Sequence, residues 1–395
     1  MSAVLFTDAT LPDGRRADVA VANGRIAAVN EPGTAAAMPE ARMIDCAGRL
    51  LAPSFTEGHI HLDKTLLGLP FVAHRRGATV AARIEAEKAL RRSLALPVFE
   101  RGGTLLRQIV GHGTGRVRTH VDIDNEIGLD QLHEVLRIRD AYGHLVDMQI
   151  VAFPQSGIVR ERGAADLLDA ALAEGATHIG GLDPVGIDGD MKGHLDVVFS
   201  LAQKHDAGID IHLHDGGETG LAELRDIAAR TKAAGLSGRV VVSHAFALGG
   251  PENIGETVAA LRDGGVAILT HGPGTVPMPP VARLWGEGVP VLAGNDNIRD
   301  AWSPYGNGDM LKRAMMIGYR QGLNADEELG LLFSIITART AATMGFPPHG
   351  LAVGDTADLV LIDAGSVAEA VVGHPARAVV MKRGMVVAQD GVLTA

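Results

Sequence analysis

The pattern of apolar and polar positions changes character twice along the chain. Residues 1–50 carry short alternating stretches broken by turns, AVLFTDATL, ADVAVANGRIAAV and ARMIDCAGRLLAP. The dipeptide Asn23-Gly24 inside the second predicts a tight hairpin. The C-terminal stretches ADLVLID, ARAVVMKRGMVVA and DGVLTA repeat the pattern. Two β-rich ends around a different middle predict one small β-sandwich domain built from residues 1–52 and 348–395. Two separate β caps are the alternative, and they would leave short sheets with exposed edges.

Residues 53–347 alternate strand and helix. Apolar strand candidates stop at polar residues in LLAPSFTEGHIHLD, RVRTHVDID, DMQIVAFPQ, THIGGLDP, GIDIHLHD, RVVVSHA, VAILTHG and PVLAGND. Helical stretches such as TVAARIEAEKALRRSLALPVFERGGTLLRQIV and ADLLDAALAEG lie between them. Eight such units in order predict an α/β fold, a closed (β/α)8 TIM barrel. An open doubly wound sheet is the competing topology, and no GxGxxG or P-loop match supports it.

Composition narrows the function. The 395 residues are 46% hydrophobic with mixed charges, as in an ordinary globular protein. A net charge of −11 leaves no electrostatic footprint for nucleic acid and disfavours a polyanionic substrate. The single cysteine, Cys46, excludes an internal disulfide and a cysteine-based zinc site. No apolar run is long enough to span a membrane, and the N-terminus lacks a secretory pattern. The expectation is a soluble, cytoplasmic protein without nucleic-acid or membrane partners.

Of sixteen histidines, seven fall at the predicted C-terminal strand ends: His59, His61, His120, His212, His214, His244 and His271. One histidine at such a place is more often structural than a ligand, but in a barrel these ends converge on the face that carries the active site. His59 and His61, two apart on a strand, point to the same side and make half of a metal site. His212 offers a third nitrogen and Asp296 a carboxylate oxygen. Three His and one Asp suit one divalent ion, Zn²⁺ or Fe²⁺, better than Mg²⁺ or Ca²⁺. Such an ion lowers the pKa of a coordinated water to about 7. Asp296 is placed to take that water's proton, and His244 to stabilise a developing oxyanion. Lys64 follows the HxH motif closely and reads either as a solvated loop lysine or as a pocket donor.

Here the motifs carry a resemblance. GHIHLDK, RTHVDID, QIVAFPQSG, DIHLHDGG, VVSHA and DNIRDAWSPYGNGDM resemble the amidohydrolase superfamily, within the branch holding bacterial cytosine deaminase and N-isopropylammelide isopropylamidohydrolase. The resemblance implies His59, His61, His212 and Asp296 as ligands of one metal. It implies Gln155 as a partner for an amide edge of a ring, Trp302 as a wall of the ring pocket, and His244 as a contact to the attacked centre. It also implies a homo-oligomer. One departure matters. Cytosine deaminase resembles HxxE on the fifth strand, where the Glu passes a proton to the leaving nitrogen. This chain has His212-Leu213-His214-Asp215, with Asp at the Glu position. The alkylammelide hydrolase resembles HxHD there, and DN on the eighth strand, as in Asp296-Asn297. On extended backbone His214 shares the face of His212, so His214 is favoured as the proton shuttle, with Asp215 as runner-up. Asn297, in place of a second Asp, changes the charge facing a ring nitrogen and weakens the case for cytosine itself.

The implied activity is release of ammonia or an alkylamine from a carbon of an N-heterocycle, a cytosine-like pyrimidine or an aminotriazine. Hydrolysis of a cyclic amide or urea is the alternative. Ring-opening members of the superfamily bridge two metals with a carboxylated lysine after the fourth strand, but HIGGLDPVGIDGD has none, and Lys192 lies well past the strand. The smaller cytidine-deaminase type needs PCxxC, which one cysteine forbids. A catalytically silent ligand-binding barrel is the reading of another class; no ligand or acid–base group is missing to suggest it.

Overall fold

The computed structural model describes residues 3–35, 38, 40–74, 77 and 79–394. The last residue of DGVLTA therefore lies outside the described residues. The N-terminal stretches form β1 (Val4–Thr10), β2 (Arg16–Ala22), β3 (Arg25–Asn30), β4 (Arg42–Asp45) and β5 (Leu50–Pro53). Asn23 and Gly24 connect β2 to β3 with φ of 52° and 77°, the left-handed pair that a two-residue hairpin turn requires.

The alternating middle begins with β6 (Phe55–Ile60), β7 (Thr114–Asp122), β8 (Asp147–Phe153) and β9 (His178–Leu182). It continues with β10 (Gly208–Leu213), β11 (Val240–His244), β12 (Val266–Thr270) and β13 (Val291–Ala293). Each strand pairs in parallel with the next, in the order β6 to β13. These strands are buried along their length, as parallel strands covered by helices are. The expected barrel is observed.

One helical stretch departs from expectation. Residues 79–110 form two helices, Val80–Arg91 and Val98–Gly111, interrupted before Pro97. Pro97 has no N–H to continue the first helix, and its fixed φ suits the start of the second. The second helix packs Leu105, Leu106, Ile109 and Val110 into the core. The first buries only Ile84 and Glu87.

The chain ends meet in one separate sheet, completed by β14 (Leu359–Ile362), β15 (Arg377–Lys382), β16 (Met385–Gln389) and β17 (Val392–Leu393). Its order is β17-β16-β15-β14-β5-β1-β2-β3, with β4 beside β1. The two ends join where β5 and β14 run antiparallel, Leu51 opposite Leu361. Phe6, Val19, Leu51, Leu359 and Leu361 form its own apolar core. Asp358, fully buried, binds both Arg116 of β7 (2.8 Å) and Lys382 of β15 (2.9 Å), so a buried ion-pair network fastens this sheet to the barrel.

Closure of the barrel brings chemistry together. Ile60 bridges in parallel to Asp296, and the Asp296 N–H donates to the His59 carbonyl at 2.7 Å. Such close approach needs Gly294: a Cβ there would stand 2.6 Å from the backbone N and 2.8 Å from the O of His59. Buried Glu57 ties the seam by accepting from the backbone N–H groups of Asn295 (2.8 Å) and His59 (3.2 Å). Arg313 in turn donates to the Asn295 side-chain oxygen. Among the described residues no helix is long and apolar enough to cross a membrane.

Candidate active site

The seven strand-end histidines form one cluster at the C-terminal mouth of the barrel. His59 and His120 stack with ring centroids 3.9 Å apart, His212 lies 4.6 Å from both, and His214 stacks on His244 at 4.5 Å. His271 closes the group 5.1 Å from His244.

Within the cluster, one donor atom each from His59, His61, His212 and Asp296 lies within 4.8 Å of the other three. His59 Nε2 and His61 Nε2 are 3.3 Å apart, and both stand 3.3–3.5 Å from Asp296 Oδ1. Those spacings match the donor–donor edges of a tetrahedral site with bonds of about 2.0–2.2 Å. Both ring nitrogens of His212 are buried without a protein partner. Buried nitrogens left bare cost free energy unless something binds them. The donor set thus fits a divalent transition metal.

His61, His212 and Asp296 resist protonation where a cation would sit. Burial holds the His61 imidazole down at about 4, and burial with neighbouring imidazoles holds His212 well below its ordinary value. Burial alone would raise the Asp296 carboxyl, but the adjoining His59 and His61 rings outweigh it and keep the group well below the usual carboxylate range. Asp296 and His244 both adopt left-handed backbone, φ 61° and 73°, a sparsely populated conformation for non-glycine residues that recurs at functional sites.

Several supporting residues escaped the sequence reading. His59 Nδ1 meets Ser243 Oγ at 2.9 Å, and Ser243 donates to buried Asp210 at 2.8 Å, which fixes the ring and leaves Nε2 for a ligand role. Asp210 precedes His212 by two on β10, so the period of two could have found it. His214 Nδ1 lies 2.9 Å from Asp183 Oδ2. Burial disfavours the imidazolium, but Asp183 outweighs this and raises the His214 pKa. Asp183 ends β9 as Asp296 ends the β13 segment, and that polar stop was its only signal.

The remaining expected residues fall into two groups. Lys64 is buried and not a solvated lysine: its Nζ lies 3.0 Å from Asp122, 3.3 Å from Glu87, and donates to the side-chain oxygen of Gln155. Trp302 joins them by donating its indole N–H to Glu87. Lys64, Gln155 and Trp302 therefore converge. Asp215 and Asn297 have other partners. The Asp215 carboxylate accepts from the Gly186 N–H at 2.7 Å and lies beside Glu223, and burial together with Asp183 raises its pKa. Asn297 donates to Asp300 at 2.7 Å, and burial pushes Asp300 up to about 7. His244 Nδ1 meets His271 Nδ1 at 3.1 Å, and its buried Nε2 has no protein partner.

Known proteins share this architecture. The family model described as the amidohydrolase family matches residues 42–388. N-isopropylammelide isopropyl amidohydrolase of Pseudomonas sp. (strain ADP) is 33% identical over 363 residues, 89% of each chain. The crystal structure of N-isopropylammelide isopropylaminohydrolase from Burkholderia multivorans ATCC 17616 superposes with a TM-score of 0.95 at 39% identity, covering 100% of both chains. That of 5-methylcytosine deaminase from Klebsiella pneumoniae, liganded with 5-fluorocytosine, gives 0.87 at 25% identity over 98% of this chain and 97% of that one. With a barrel of this topology and a histidine–carboxylate cluster at its mouth, the chain belongs to the amidohydrolase family and is a hydrolase of C–N bonds.

Proposed function

We propose that the chain is a mononuclear, divalent-metal-dependent aminohydrolase. It releases ammonia or an alkylamine from a carbon of an N-heterocycle, an aminotriazine or a cytosine-like pyrimidine. The observation that carries this reading is the convergence of one donor atom each from His59, His61, His212 and Asp296 within 4.8 Å of one another at the barrel mouth.

The four ligands suit Zn²⁺ or Fe²⁺. When bound, the ion lowers the pKa of a coordinated water to about 7 and so supplies a nucleophile at neutral pH. The residues do the rest. Asp296 takes the water's proton on a carboxylate oxygen as the new C–O bond forms. His244 presents its unpartnered Nε2 to the developing tetrahedral centre. His214, held through Nδ1 by Asp183, carries a proton on Nε2 to the leaving nitrogen as the C–N bond breaks. Asp215, committed to Gly186, orients the loop after β10 instead.

The test is a screen of N-heterocycles bearing exocyclic amines, read as ammonia or alkylamine released, before and after chelation. Activity should vanish in metal-free protein and return with one equivalent of Zn²⁺ or Fe²⁺. Full activity without metal, or no amine release from any such ring, would sink the proposal. Asp183 offers a finer check. Asp183→Asn should lower kcat about 10²-fold by releasing the His214 tautomer, with metal content unchanged. A kcat within twofold of wild type would remove Asp183 from the mechanism.

A further inference from the structure

Lys64, Gln155 and Trp302 arrive from different loops, yet all three meet one oxygen of Glu87. Glu87 Oε2 lies 3.3 Å from Lys64 Nζ, accepts from Gln155 Nε2 at 2.9 Å, and accepts the Trp302 indole N–H. Asp122 reinforces the arrangement: its Oδ2 accepts from Gln155 Nε2 at 3.0 Å, and its Oδ1 lies 3.0 Å from Lys64 Nζ. The side chains of Glu87, Gln155, Asp122 and Lys64 are all buried, so these bonds form out of competition with water.

The consequence lies in the sense of the Gln155 amide. Both hydrogens of its Nε2 are spent on carboxylates, and its Oε1 faces the Lys64 ammonium. A flipped amide would set Oε1 against the Glu87 carboxylate and Nε2 against the Lys64 ammonium, so one orientation is enforced. With its donors consumed, Gln155 has only acceptor capacity left, the second lone pair of Oε1.

We infer that Glu87 is a positioning residue for substrate selection: it holds Gln155 as an acceptor, so that the pocket takes rings presenting an N–H, such as the lactam form of an oxo-heterocycle, over rings of the same shape without one. The inference rests on the proposed heterocycle hydrolase. Glu87 sits on the helix Val80–Arg91, where it and Ile84 are the only buried residues. A merely structural Glu87 would dock that helix without sorting ligands.

Binding separates the two roles. Uracil, which has ring N–H groups, and 2,4-dimethoxypyrimidine, which has none, are titrated against metal-loaded wild type, Glu87→Gln and Thr79→Ala. Wild type should prefer uracil. Glu87→Gln should lose about tenfold in uracil affinity, the worth of one buried hydrogen bond, with little change for the dimethoxy ring and with full metal content. Thr79→Ala removes the N-cap bond from the Ala82 N–H and weakens the start of the helix without touching the polar network, and should leave the preference intact. Equal weakening of both rings by Glu87→Gln, unchanged uracil binding, or a wild type that does not distinguish the rings would overturn the assignment. Amine release measured on the same preparations keeps the two ideas apart. Turnover with no Glu87-dependent preference sinks only the role of Glu87, whereas absence of turnover sinks the hydrolase reading.

Discussion

Asp296→Asn should lower turnover by at least about 10³-fold and weaken metal retention together. The substitution keeps the shape of the side chain and removes two things at once. The amide cannot take a proton from water, and it replaces an anionic ligand with a neutral one beside three imidazoles. Asp296 Oδ1 stands 3.5 Å from His59 Nε2 and 3.3 Å from His61 Nε2, so no other carboxylate in the four-ligand set can replace it. Steady-state rates at saturating Zn²⁺ or Fe²⁺, with bound metal counted by mass spectrometry, separate the losses. If metal is restored and the rate is not, proton transfer is the missing part. A variant within tenfold of wild type at full metal occupancy would mean that Asp296 is not the proton acceptor.

Asp358→Asn should cost about 1–3 kcal/mol of stability at neutral pH, because it takes one anion from two buried cations while Lys382 keeps Asp147 at 2.6 Å. Arg116 and Lys382 are each about 1% exposed, and Asp358 is fully buried between them. Burial by itself would raise the Asp358 pKa, but Lys382 and then Arg116 outweigh it and hold the carboxyl below its usual value. A depressed carboxyl contributes stability above its unfolded pKa, about 3.9, and loses that contribution as pH falls through the folded value. The gap between wild type and variant in urea midpoint should therefore be widest near pH 7 and narrow below about pH 4. Equal midpoints at pH 7 would show that the network contributes nothing.

Much of the barrel was readable because parallel strands covered on both faces must be apolar until they reach the mouth, where polar residues begin. His120, His244 and His271 could be placed at strand ends by that rule alone. The pairing of the chain ends was readable as two β-rich tails, but the meeting of β5 with β14 was not, since nothing local specifies which strands pair across 300 residues. Asn23-Gly24 was readable because a left-handed turn leaves a local signature. Pro97 also left one, inside the stretch expected to be helical, where it precedes the second helix. Glu87, Asp122, Asp183 and Ser243 were missed for a shared reason. Each acts by touching a side chain remote in sequence, and an acidic residue on a polar helix looks the same whether it meets water or a buried lysine. Glu87 in particular sits in a stretch where only two residues are buried.

The seam between β6 and the segment after β13 has a bearing on assembly. His59 and His61 precede Asp296 by more than 230 positions, and the carboxylate reaches them only once the last strand has completed the circle. A cation held by all three is a clasp that fits only the fastened ring, so it stabilises the finished fold by RT ln(1 + [L]/Kd) and offers little to the nascent chain. Metal scarcity during synthesis would thus show first as a looser final strand, before any loss of the earlier ones.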